Sequence, residues 1–168
     1  MLETNRLRLR KMTAGDVDAI MVIFSDPEVM RSFGGDLFDR SQTEKWVDRN
    51  LGHQRQYGYG LFSVILKSDQ TLVGDCGLEH MEVDGRAEVE IGYDFRSDYW
   101  GQGLATEAAS AVRDFALIEL GLPRVISLIR PDNIASRRVA EKIGMVKERD
   151  ILRGGQTYWI YSLSSAKS

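Results

Sequence analysis

A chain of 168 residues, 43% apolar and 28% charged, can bury one core but not two large ones. A net charge of -3 spreads no basic field over the surface, which argues against a nucleic-acid partner. One cysteine, Cys76, rules out an intrachain disulfide and reads as core filler, and no apolar run approaches the roughly 18 residues of a membrane span. Residues 1–168 are therefore read as one domain of a cytoplasmic protein, monomer or homodimer, with no membrane partner.

Arg6 to Lys11 alternates leucine with basic residues, as a half-buried strand does. From Ala14 to Phe24, Val17, Ile20, Met21 and Phe24 recur at helical spacing behind Thr13, a capping residue. Asp26-Pro27 opens a short helix, because proline fits a first turn where its missing donor is not needed. Ser41 and Glu44 have capping-box spacing and start a helix expected to stop at Gly52.

The period then changes. Leu61 to Leu66, Leu72 to Met81 and Arg86 to Phe95 are predicted as antiparallel strands, with turns at Ser68-Asp69 and Asp84-Gly85. Leu104 to Leu120 is the clearest helix, closed by Gly121 and Pro123. Arg124 to Ile129 is a strand, and Asn133 caps a helix that reaches Ile143 before Gly144. Met145 to Leu152 and Thr157 to Leu163 make a closing hairpin around Gly154-Gly155. This order describes a mixed sheet with helices on its faces, an α/β (α+β) fold.

Chemistry concentrates in Tyr99-Trp100-Gly101-Gln102-Gly103-Leu104-Ala105-Thr106, where two glycines meet a helix start. Such a turn aims several backbone N–H groups at one point, and the helix dipole adds positive charge there, as a pyrophosphate requires. The segment lacks the Gly-Lys-Ser/Thr of a nucleotide triphosphate loop. Thr106 stands where a dinucleotide fingerprint needs its third glycine.

Four ordered segments carry a resemblance: Glu90-Ile-Gly-Tyr-Asp-Phe95, Tyr99 to Ala108, Pro131-Asp-Asn-Ile-Ala-Ser136 and Glu141-Lys-Ile-Gly144. Together they resemble the GNAT superfamily of N-acetyltransferases. Thr4 to Arg10 and Ser25 to Met30 are similar to the branch typified by the RimJ and RimL ribosomal-protein acetyltransferases. The resemblance implies a mostly antiparallel sheet of about seven strands with helices on both faces, and fourth and fifth strands splayed by a bulge to admit the pantetheine of acetyl-CoA. It implies backbone bonds from Tyr93 and Phe95 to pantetheine, a pyrophosphate cradle from Trp100, Gly101, Gln102, Gly103, Leu104, Ala105 and Thr106, and contacts from Asn133 and Ser136. Trp100 departs from the Gln or Arg of the family pattern.

An ammonium must lose a proton before it attacks a thioester. Glu90 is the first choice as base, with Glu88, Glu79 and His80 as rivals; ordinary solvated or structural roles remain open for each. The tyrosine that many family members use as acid is replaced by Ala140, which leaves Ser136 as the candidate proton donor. Arg137, Arg138, Lys142 and Lys147 are candidates for the 3′-phosphate. Neither His53 nor His80 has metal-ligand spacing, and no metal is expected. The acceptor is a primary amine, on a ribosomal-protein or other protein N-terminus or on a small molecule. The alternative function is a catalytically silent acyl-CoA-binding module.

Overall fold

The computed structural model describes residues 1–166. The leucine alternation becomes β2 (Leu7–Lys11), whose Leu7 and Leu9 are fully buried while its arginines face outward. A two-residue strand, β1 (Leu2–Glu3), pairs with it. Thr13 and Asp16 form a capping box ahead of α1 (Val17–Phe24), and the Asp26 carboxylate caps α2 (Pro27–Met30) at the Glu28 amide. After α3 (Arg40–Tyr57) the meander follows as β3 (Leu61–Leu66), β4 (Leu72–Val83) and β5 (Arg86–Phe95). Then come α4 (Leu104–Asp114), β6 (Arg124–Ile129), α5 (Ile134–Lys142), β7 (Val146–Arg153) and β8 (Gln156–Ser164).

Among the described residues the strands form one eight-stranded sheet in the order β1-β2-β3-β4-β5-β6-β8-β7, antiparallel except where β5 meets β6. The count exceeds the expected seven because Leu2–Glu3 is too short to show a period. The splayed fourth and fifth strands of the family pattern are therefore β5 and β6 here. On one face, Leu104, Ala108, Val112 and Ala116 from α4 and its continuation pack with Cys76, Leu78 and Ile91. On the other, Ile20, Phe24 and Val47 from α1 and α3 pack with Leu61, Ile65 and Leu72. Burial of these side chains is the main force holding helices to sheet, at roughly 1.5–3 kcal/mol for each large one.

Two helices differ from expectation. The capping box of α3 is Asp39 with Gln42, two residues before Ser41 and Glu44, and the helix passes Gly52 to end at Gly58, whose φ of 79° supplies the left-handed cap. The long helix leaves α geometry at Asp114 and ends in a π turn, Phe115–Glu119, closed by the Leu120 amide on the Phe115 carbonyl at 2.9 Å.

The junction of β5 with β6 positions the site. Glu90 opposite Ile126 is their one paired position. Beyond it side chains replace the ladder: the Leu128 amide donates to Glu90 Oε1 at 3.0 Å, and Ser127 Oγ donates to the Ile91 carbonyl at 2.8 Å. The separation thus leaves fewer buried backbone groups unsatisfied. The expected bulge is not on the β4 side of β5, whose register runs unbroken from Gly74–Phe95 to Val83–Arg86; register shifts fall at Val64/Ile65 and Lys147/Arg149.

Candidate active site

Gly101 and Gly103 adopt φ of 76° and 77°, values open to glycine, and turn the chain into α4. Among the described residues no protein acceptor takes the amide N–H groups of Gly101 through Thr106; the first bond of the helix is Glu107 N–H to the Gly103 carbonyl, 3.0 Å. A strut from the N-terminal strands holds this loop. Glu107 accepts from Thr4 Oγ1 (2.6 Å), the Arg6 amide (2.8 Å) and Arg6 Nε (2.7 Å), while Arg6 Nη1 donates to the Gln102 carbonyl at 2.8 Å.

The loop opens on a cleft of about 590 Å³. Tyr93, Phe95, Trp100, Gly101, Gly103, Leu104, Ala105 and Thr106 line it from one side, and Asn133 and Ser136 from the other. Gln102 does not line it, because its carbonyl is turned out to Arg6. Trp100 Nε1 donates to the Phe95 carbonyl at 2.9 Å, so one of the two Phe95 backbone groups from which the resemblance implies pantetheine bonds already has a protein partner.

The four candidate cations divide. Arg138 and Lys142 line the cleft, whereas Arg137 and Lys147 stack on Trp159 at 4.4 Å and 3.8 Å from the ring centroid. Arg31, beyond α2, also lines the cleft and was missed, since nothing local in sequence couples it to residue 103. Asn133 caps α5 by accepting from the Ser136 amide at 3.1 Å, and Tyr93 Oη donates to the Ser136 carbonyl at 2.8 Å. Burial pushes the Tyr93 phenol up, which keeps it a donor. Ala140 is completely buried. Restoring a tyrosine there is expected to overpack the α5–sheet contact, and Ala140→Tyr should lose about 1–3 kcal/mol in urea unfolding.

A second cavity of about 170 Å³ adjoins the first, sharing Ser32, Tyr93, Asp94, Asn133 and Ser136 with it. Its acids come from one sheet face. Glu90 lies opposite Glu79, and Asp94 lies opposite Asp75, with Gly92 opposite Gly77 between the pairs. Glu79, Glu90 and Asp94 line the cavity. Burial raises the Glu90 pKa to about 8; the Leu128 N–H and Arg153 oppose the shift, while Glu79 and Asp94 add to it.

Asp75 is wholly buried and neither carboxylate oxygen has a donor. Burial, then Asp94, push the Asp75 carboxyl well up, and burial, then Glu79, push Asp94 up. Carboxyls with raised native pKa values stabilise the fold in acid and lose that contribution as pH rises from ~4. Stability should therefore decline between about pH 4 and 8, and Asp75→Asn should flatten the decline in urea titrations across that range.

Of the three rivals, Glu79 shares this cavity with Glu90, and the other two are placed elsewhere. Glu88 is held by Arg124, with Nε and Nη2 at 3.0 Å from its oxygens. His80 bonds Tyr59 Oη and stacks on Tyr57, 3.8 Å between centroids, away from both cavities. His53 Nε2 accepts the His80 amide at 2.9 Å, closing the edge of β4 beyond β3.

The Acetyltransferase (GNAT) domain model matches residues 6–146, most of the chain. The protein is a member of the GNAT acetyltransferase family. This GNAT chain is 36% identical over 165 residues to the uncharacterized protein YkkB of Bacillus subtilis, covering 98% of this chain and 95% of that one. It is 33% identical over 149 residues to the uncharacterized N-acetyltransferase p20 of Bacillus licheniformis, covering 88% and 83%. Its fold matches a GNAT acetyltransferase from Bacillus anthracis with a TM-score of 0.81 at 31% identity, over 97% of each chain. At 18% identity the fold also matches RimL, a ribosomal L7/L12 alpha-N-protein acetyltransferase solved with coenzyme A, with a TM-score of 0.80 over 96% of each chain. No helix among the described residues is long and apolar enough to cross a membrane.

Proposed function

We propose that this GNAT enzyme transfers the acetyl group of acetyl-CoA to a primary amine by direct attack on the thioester. The observation that carries the reading is the run of unspent amide donors from Gly101 to Thr106 at the start of α4, opening on a cleft edged by Arg31, Arg138 and Lys142. These groups suit a pyrophosphate and a further phosphate. Acetyl-CoA supplies the activated acyl carbonyl. The backbone of Tyr93 and Phe95 faces the gap that Glu90 and Ser127 hold open, the setting in which an extended amide-bearing arm adds to a strand edge.

Glu90 then takes the ammonium proton. A carboxylate with a pKa of about 8 is a stronger base than a solvated one and lies closer to the amine it must deprotonate. Ser136, at the wall between the two cavities, is the proton donor to the departing sulfur, a mild demand for a thiol of pKa about 8.5. A silent binding module is the second reading, favoured by Ala140 in place of the family tyrosine. A thiol-release assay with acetyl-CoA and a panel of primary amines separates them. Release with an amine supports transfer, whereas heat protection by acetyl-CoA without release for any amine supports the module.

A further inference from the structure

Strand formation does not account for all of the segment from Thr4 to Arg10. Leu7 and Leu9 enter the core, whereas Arg6 lies in the turn between β1 and β2 and is tied on two sides. Its carbonyl accepts from the Lys67 amide at 2.9 Å, and its amide donates to Glu107 Oε1 at 2.8 Å. Around it Thr4 Oγ1 accepts from the Leu7 amide at 3.0 Å, and Lys67 Nζ donates to the Thr4 carbonyl at 2.6 Å. The backbone that carries the Arg6 guanidinium is therefore fixed to the end of β3 and to the first turn of α4.

The guanidinium fork then reaches two parts of the glycine segment. Nε donates to Glu107 Oε2 at 2.7 Å, and Nη1 donates to the Gln102 carbonyl at 2.8 Å. Burial opposes ionisation of Glu107, but the Thr4 hydroxyl and both Arg6 groups outweigh it and hold the carboxyl below its ordinary range. The contact with Gln102 sets a direction. Across a trans peptide the Gln102 carbonyl and the Gly103 N–H lie on opposite sides of one plane. An oxygen turned out to Arg6 thus aims that N–H at the cleft, which Gly103 lines and Gln102 does not. Without Arg6 the plane is free to turn over, because Gly103 accepts either sign of φ, and the diphosphate would then meet a carbonyl oxygen in place of a donor. The entry to the segment supplies no such restraint. Ser97 Oγ donates to Asp26, the cap of α2, and Trp100 Nε1 to the Phe95 carbonyl, both ahead of the glycines.

We infer that Arg6 is a positioning residue for the diphosphate of acetyl-CoA, holding the Gln102–Gly103 peptide with its N–H toward the cleft while Glu107 and Thr4 hold the guanidinium. The inference rests on the diphosphate reading of the loop and adds to it a residue that does not line the cleft. The Arg6 charge is offset by Glu107 at 2.7 Å, so its effect on the ligand passes through the backbone rather than through a direct ion pair.

The test is calorimetry of coenzyme A and of pantetheine, which lacks the diphosphate, on the full-length protein. The readout is the preference for coenzyme A, the Kd of pantetheine divided by that of coenzyme A. Arg6→Ala should lower this preference by about tenfold, the effect of one hydrogen bond from a charged donor, by weakening coenzyme A and not pantetheine. Because Arg6→Ala strands the Glu107 charge, Arg6→Ala combined with Glu107→Gln serves as the variant that does not, and it should show the same fall. Arg6→Lys keeps a cation beside Glu107 without the fork and should recover only part of the preference. A lower melting temperature with the preference unchanged in the double variant would make Arg6 merely structural and overturn the inference, while the diphosphate reading stands. An equal loss of affinity for both ligands would overturn it as well. A wild-type protein that binds the two ligands equally would overturn the inference and the diphosphate reading together. Turnover is not needed, so the same results decide for an active transferase and for a silent module.

Discussion

Glu90→Gln is expected to lower kcat by ~10²-fold or more and to abolish the acid limb of the pH–rate profile. In the native enzyme that limb should lie near pH 8, because burial holds the Glu90 proton to about that pH and the base works only once ionised. Below it kcat/KM should rise tenfold per pH unit. Glutamine keeps an oxygen for the Leu128 amide, which separates the chemistry from the strut that fills the gap between β5 and β6. The stability sign runs opposite to activity. A carboxyl with a raised native pKa costs stability once pH passes its unfolded value near ~4.3, so the variant should unfold at higher urea than wild type at pH 9. Full activity with an unchanged pH profile would move the base to another residue of the cavity, Glu79 or Asp94.

Gly103→Val should remove acetyl-CoA protection. At a hundredfold excess over Kd a bound ligand adds about 2.7 kcal/mol, which for a chain of this size raises Tm by about 5–10 °C. A β-branched residue does not settle at φ of 77°, and its Cβ would meet Arg6 Nη2 at 3.6 Å, so the loop amides would be re-aimed. The variant should melt lower on its own and gain almost nothing from acetyl-CoA. Gly101→Ala, with open space around the added methyl, carries backbone strain alone and should keep part of the ligand shift. A full shift in both variants would show that the amides do not bind the ligand.

Much of this arrangement was legible in the residues because local rules coincide with the tertiary solution. β3, β5 and β6 begin and end where alternation and turn residues place them, and Asp84-Gly85, with φ of 49° and 76°, is the turn its dipeptide predicts. Where two local signals compete, the prediction slips. Asp39 and Gln42 outbid Ser41 and Glu44 as a cap, and Gly52 stays helical because the left-handed cap is supplied at Gly58. The functional surface was partly legible for a related reason. The glycine loop is contiguous and announces itself, as does Glu90 on the strand leading to it.

Ser127 gave no comparable signal. Its hydroxyl matters because it occupies a carbonyl on a strand 36 residues away, and side-chain repair of a broken ladder leaves no periodicity. The same holds for Arg31, brought to the cleft by α2, and for the bond of the Trp100 indole to Phe95, although Trp100 itself was read as part of the loop. Asp75 and Asp94 show the converse. Each reads as an ordinary polar strand residue, and only the antiparallel register puts them opposite one another, with Asp75 out of reach of a donor.

The central claim is that the amides from Gly101 to Thr106 are reserved for a diphosphate. An amide NMR titration of the protein with coenzyme A, against dephosphorylated pantetheine as control, tests it most directly. Large shifts clustered on residues 101–106 with coenzyme A, and small ones with pantetheine, are the predicted result. Amides there that stay unmoved at saturation with coenzyme A would contradict it.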